Sequence, residues 1–110
     1  MNKLTAIGIL LLAALFEAGG DALVRMGLKQ NTTLRWATFL AGAVVLFAYG
    51  VIVNAPDWDF GRLIGLYVVF FFLTAQLVSW VVFHQPPSPA TMVGGGLILA
   101  GGVVLGFANP

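Results

Sequence analysis

The chain has 110 residues, of which 60% are hydrophobic and only 8% charged, with a formal net charge of +1. A soluble domain of this size carries about 25% charged residues, so the composition excludes a water-facing globular surface and indicates an integral membrane protein, in line with a mean hydropathy of +1.00. Five basic side chains against four acidic ones leave no cationic patch for nucleic acid. The absence of cysteine and a single histidine, His84, leave almost no material for a metal site, a disulfide or a nucleophilic triad, so neither an enzyme nor a cofactor is expected.

The whole of 1–110 reads as one transmembrane domain with spans at about 4–24, 34–53, 62–83 and 90–107, each near the ~20 residues that cross a bilayer. Met1-Asn2-Lys3 before an apolar run resembles a secretory leader. It is read here as the start of a retained first span, because no clean small-x-small cleavage site precedes the charged stretch and removal would leave only three spans. From Leu4 to Phe16 only Thr5 and Gly8 interrupt the apolar run, and then Glu17 appears. Glu17, Asp21 and Arg25 recur every four residues, which puts them on one helical stripe. An acidic side chain at the centre of a span costs roughly 2.5–3.5 kcal/mol on the insertion scale, so it marks a partner or a wet cavity.

Lys29-Gln30-Asn31-Thr32-Thr33 is a polar connector, and the second span ends at Asn54-Ala55-Pro56-Asp57. The third is stopped by His84-Gln85-Pro86-Pro87-Ser88-Pro89, where three prolines cannot continue a helix. The fourth ends at Asn109-Pro110. Short connectors force antiparallel neighbours, giving an all-α membrane protein built as a four-transmembrane-helix bundle. No stretch alternates apolar and polar residues as a β-barrel strand requires.

The fourth span contains the small-xxx-small pairs Gly96/Ala100 and Gly102/Gly106, which let backbones approach closely. Packing within one chain would use them, but four short helices enclose little space around Glu17. A contact between two copies through Gly96, Ala100, Gly102 and Gly106 is the favoured expectation. Lys3 and Arg62 fall on one side of the membrane, and Lys29 and Arg35 on the other, joined by Arg25 if it reaches the interface. So even a count gives the positive-inside rule little to act on. Dual topology and an antiparallel homodimer are then permitted.

Glu17 is the leading candidate for chemistry. Its helical neighbours Ala13, Ala14 and Gly20 are small, which opens space beside the carboxyl, and an apolar surround favours the neutral form. Such a group can exchange a proton for a cation. Asp21 either joins Glu17 in the site or pairs with Arg25 one turn on. Arg62, beside Asp57 and Asp59, reads as an interfacial anchor. Tyr49, Tyr67, Trp80 and Trp36 are possible π faces for a cation; Tyr67 is favoured, Trp80 is retained as a candidate, and Trp36 and Trp58 suit an aromatic belt. Thr74, Gln76 and Ser79 read as cross-helix hydrogen-bonding groups.

These residues carry a resemblance. Leu12-Ala13-Ala14-Leu15-Phe16-Glu17, Leu77-Val78-Ser79-Trp80 and Gly95-Gly96-Leu97-Ile98-Leu99-Ala100-Gly101-Gly102-Val103, in this order on four spans, are similar to the small multidrug resistance transporters of the drug/metabolite transporter superfamily. The resemblance implies an antiparallel dual-topology homodimer sharing Glu17 from each copy. It also implies proton-coupled export of a small cationic or guanidinium-bearing compound, with the fourth helices in contact. Where those transporters have a Gly-x-Gly kink and a tryptophan in the third helix, this chain has Val69-Phe70-Phe71 and Tyr67. Phe60-Gly61-Arg62 through Tyr67, and Glu17 followed by Gly20, look closer to the YnfA-like small membrane proteins, a related branch.

The expected function is therefore a proton-coupled antiporter, multi-pass in the cell (inner) membrane. Its partners are the lipid bilayer, protons, a small organic cation and a second copy. The alternative is a non-transporting structural or accessory membrane protein that pairs through its glycine-rich fourth helix.

Overall fold

A computed structural model describes residues 2–107. It contains four helices, α1 (Lys3–Lys29), α2 (Leu34–Val53), α3 (Phe60–Phe83) and α4 (Pro89–Phe107), and no strand among the described residues. All four are long and apolar enough to cross a membrane. Asn109-Pro110, read from sequence as the end of the fourth span, lie outside the described residues.

The helix ends follow from local chemistry. Asn2 caps α1, its side-chain oxygen accepting the Thr5 N–H at 2.7 Å. At the far end α1 continues past Val24, the expected limit, to Lys29. Hydropathy marks where hydrocarbon ends, whereas the helix persists while its carbonyls are satisfied. Here Arg35 Nε donates to the Gly27 carbonyl at 3.2 Å. The 27 residues of α1 extend about 40 Å, so its last turns stand at the interface. His84 closes α3 in the left-handed region (φ 56°, ψ 38°), and the Gln85 N–H reaches back to the Ser79 carbonyl at 2.9 Å. The three prolines therefore follow an end already made. One of them, Pro89, opens α4 at the position where its fixed φ suits a helix start, behind Ser88, whose Oγ accepts the Thr91 N–H at 3.1 Å.

α1 is the central element. It packs against α2 and α3, and α4 packs against α3, in a slab with extents of 51 × 33 × 19 Å. The expected bundle is thus flat. Close packing of α1 on α2 rests on the crossing of Gly20 and Gly42. A Cβ on Gly42 would lie 2.9 Å from Val24 Cγ2 and 3.2 Å from the Gly20 carbonyl oxygen, so neither position accepts a side chain without separating the helices. The buried cluster of Leu10, Ala13, Ala14, Val53, Leu63, Leu66 and Tyr67 joins α1, α2 and α3. Large apolar side chains such as Leu15, Phe47, Val81 and Leu97 face outward, as a lipid solvent requires.

Candidate functional site

Glu17 lies in the middle of α1 with its side chain half-buried. Ala13 and Ala14 are fully buried and Ala18 is nearly so. The space that these small neighbours open beside the carboxyl is taken up by α2 and α3. Tyr67 enters from α3, 3% exposed, and its Oη donates to Glu17 Oε1 at 2.8 Å. The ring of Tyr67 lies 5.6 Å from that of Tyr49 on α2 and 6.2 Å from Phe71 on α3, tilted 33° and 22° respectively. Three helices thus converge on one carboxyl group. A buried phenol that donates to one oxygen anchors that end of the carboxyl, whose other oxygen can take a proton or a cation.

Asp21 stands one turn, about 6 Å, along α1. It is exposed within a cleft of about 430 Å³ between α1 and α3, which Arg25, Gln76, Ser79 and Phe83 also line. The Asp21–Arg25 pairing left open by the sequence does not form. The Arg25 guanidinium instead sits over the Phe83 ring, 5.2 Å from its centroid.

The model of the family described as "Uncharacterised BCR, YnfA/UPF0060 family" matches residues 3–110. The chain belongs to that family. Among its relatives, the UPF0060 membrane protein of Clostridium perfringens is 31% identical over 98% of this chain and 97% of that one. The Nocardia farcinica protein is 33% identical over 98% and 96%, and the Bacillus licheniformis protein is 36% identical over 94% of each. No solved structure matches the chain. Family membership and four membrane-length helices make it a multi-pass membrane protein.

Within this YnfA/UPF0060 chain the remaining candidates are dispersed. Trp80 is 57% exposed and is neither among the cleft-lining residues nor in ring contact with Tyr67. It follows Tyr67 by thirteen residues (80 − 67), a rotation of about 220° at 3.6 residues per turn, which turns it to the other side of α3. Tyr49, weighed from sequence only as one of several π faces, is the ring from α2 that meets Tyr67. Only its position on α2 opposite Tyr67 singles it out, and that pairing is tertiary.

The four small residues of α4 divide between two faces. Gly102 and Gly106 face α3: a Cβ on Gly102 would overlap the Val69 side chain, and one on Gly106 would touch Leu66 Cδ1 at 3.4 Å. Gly96 and Ala100 are exposed, and a Cβ on Gly96 would meet nothing within 4 Å. Gly95, the first residue of the glycine-rich motif of the fourth span, completes the inner face against Phe72.

One further expectation changes, for Thr74 and Ser79. Thr74 Oγ1 donates to the Phe70 carbonyl at 2.8 Å, and Ser79 Oγ to the Gln85 carbonyl at 3.1 Å. Both bonds are local to α3 and its cap rather than between helices. Arg62 stands over Trp58, 4.9 Å from the centroid, and its Nε donates to the Leu105 carbonyl at 3.0 Å. With Lys3, whose Nζ donates to the Gly106 carbonyl at 2.9 Å, it satisfies the C-terminal carbonyls of α4. Among the described residues no group of acidic or histidine side chains could hold a metal ion.

Proposed function

We propose that the protein is a proton-coupled exporter of small cationic or guanidinium-bearing compounds, with Glu17 as the titrating group. The observation that carries this reading is the hydrogen bond from the buried Tyr67 hydroxyl to Glu17 Oε1, 2.8 Å long, at the middle of a membrane-length helix. A carboxylate at that depth calls for a positive charge beside it, which the phenol hydrogen bond alone does not supply. A proton and an organic cation therefore compete for it, and their exclusive occupancy is what couples their movement. Tyr67 holds the carboxyl in one orientation, while the Tyr49, Tyr67 and Phe71 rings offer π faces to the bound cation. No covalent step is required of any residue.

We further propose that two copies share the site, in opposite orientations. The flat slab leaves the Glu17 carboxyl only half-buried, and a second copy would complete its enclosure. The outward side of α4, where Gly96 and Ala100 are exposed and a Cβ on Gly96 would meet nothing within 4 Å, suits the contact.

The test is proton release. Adding tetraphenylphosphonium or phenylguanidinium to weakly buffered purified protein should release protons from the wild type and none from Glu17→Gln, with dimer content unchanged. If Glu17→Gln released protons equally, the coupling role of Glu17 would be wrong. If that variant behaved as wild type in cells while substitutions on the Gly96 face did not, the accessory-protein reading would replace transport.

A further inference from the structure

The cleft between α1 and α3 carries charge that the fold leaves uncommitted. Asp21 and Arg25 are four residues apart on one face of α1, the spacing at which opposite charges ordinarily pair. Here the guanidinium is held over Phe83, and no ion pair or hydrogen bond joins it to Asp21 among the described residues. Lys29, one turn further out, lies over the same ring at 5.7 Å. The cleft is therefore negative at its inner end and positive at its mouth.

Each end asks for a different charge. A carboxylate at membrane depth without a partner calls for a cation. Two cations gathered on one ring call for an anion, and a guanidinium that rests on an aromatic face keeps its edge N–H groups for a bidentate carboxylate. The axial distance between Asp21 and Arg25 is about 6 Å. The rest of the lining is mainly apolar, with Val24, Phe71 and Val78, and includes Gln76. The volume of about 430 Å³ lies in the range that holds small ligands.

We propose that this cleft binds a small zwitterion, with an ammonium or guanidinium group inward on Asp21 and a carboxylate outward on Arg25. The site is distinct from the Glu17 carboxyl and goes beyond the export reading, because it requires neither proton coupling nor a second copy. Its polarity also selects among zwitterions. A phosphatidylethanolamine headgroup carries its phosphate on the tail side and its ammonium toward water, the reverse of the order in the cleft. A free ω-amino or ω-guanidino acid that enters cation first has the right order.

The experiment compares 4-guanidinobutyrate with butylguanidine, the same cation without the carboxylate, by calorimetry on the purified full chain in detergent. The expected result is tighter binding of 4-guanidinobutyrate by about ten- to a hundred-fold, the size of one charge-assisted hydrogen-bonded pair. Arg25→Gln should remove that preference and keep butylguanidine binding. Asp21→Asn should weaken both ligands, and Glu17→Gln should leave the preference intact. Arg25→Lys, which keeps the charge without the planar fork, should retain part of the preference and serves if Arg25→Gln does not fold. Equal binding of the two ligands by wild type would overturn the proposal, as would a preference that survives Arg25→Gln undiminished. Loss of the preference in Glu17→Gln would put the ligand at the Tyr67 site instead. Displacement of 4-guanidinobutyrate by phosphatidylethanolamine micelles would identify a lipid occupant, and that too would overturn it.

Discussion

The α3–α4 contact offers a sharp test because the two sides of α4 make opposite predictions for the same substitution. Gly102→Ala adds one methyl group where an ideal Cβ overlaps Val69 Cγ2 and lies 3.2 Å from Val69 Cβ. Val69 is 9% exposed and β-branched, with one strongly preferred rotamer in a helix, so it cannot swing clear. The helices must separate, at a cost of about 1–3 kcal/mol from overpacking and lost close contact. That corresponds to about a 5- to 150-fold loss in the packing equilibrium. Gly96→Ala adds the same methyl group with nothing within 4 Å and should leave the stability of the chain unchanged. Urea unfolding in mixed micelles, followed by circular dichroism, measures both. Val69→Ala in the Gly102→Ala background should restore part of the loss, giving a coupling of about 0.5–3 kcal/mol. An unchanged midpoint for Gly102→Ala, or an equal loss for Gly96→Ala, would refute the assignment of the two faces.

Other expectations follow from single contacts. Tyr67→Phe removes the hydroxyl donated to Glu17 Oε1 and should weaken cation-driven proton release without unfolding the chain; full release at wild-type affinity would show that the phenol is not needed. Gly96→Leu should reduce cross-linked dimer in detergent by about 5- to 150-fold if that face joins two copies, and an unchanged dimer fraction moves the contact elsewhere. His84→Gly should raise the unfolding midpoint, because a left-handed residue at φ 56° costs an L side chain about 1–2 kcal/mol that glycine avoids; a lowered midpoint would mean the imidazole has a stabilising role. Two lysines added beside Asp57 should drive every copy to place that loop in the cytoplasm, and a single orientation already present in wild-type reporter fusions would rule out dual topology.

Much of the architecture was legible in the residues themselves. In a bilayer each backbone polar group must be satisfied within its own segment, so four apolar stretches of the right length become four helices, and proline-rich or polar connectors become their ends. Glu17 stood out for a related reason: a carboxyl after thirteen residues fit for hydrocarbon is expensive wherever it points. Tyr67 was chosen because it lies deep in its span.

What the tertiary structure decided is which groups meet, since that depends on the rotation of one helix against another. A helix-period pattern says which residues share a face but not which neighbour that face receives, and spans that are apolar all round carry little signal for it. Hence Gly102 and Gly106 turned toward Val69 and Leu66 while Gly96 and Ala100 turned outward, although all four have the same small-xxx-small spacing. Trp80 lay away from Tyr67 on α3, Tyr49 opposite it on α2, and Phe83, from the far end of α3, took the guanidinium that Asp21 was positioned to bind. An i, i+4 pair is fixed by one helix, whereas a cation–π contact between α1 and α3 exists only once those helices are packed.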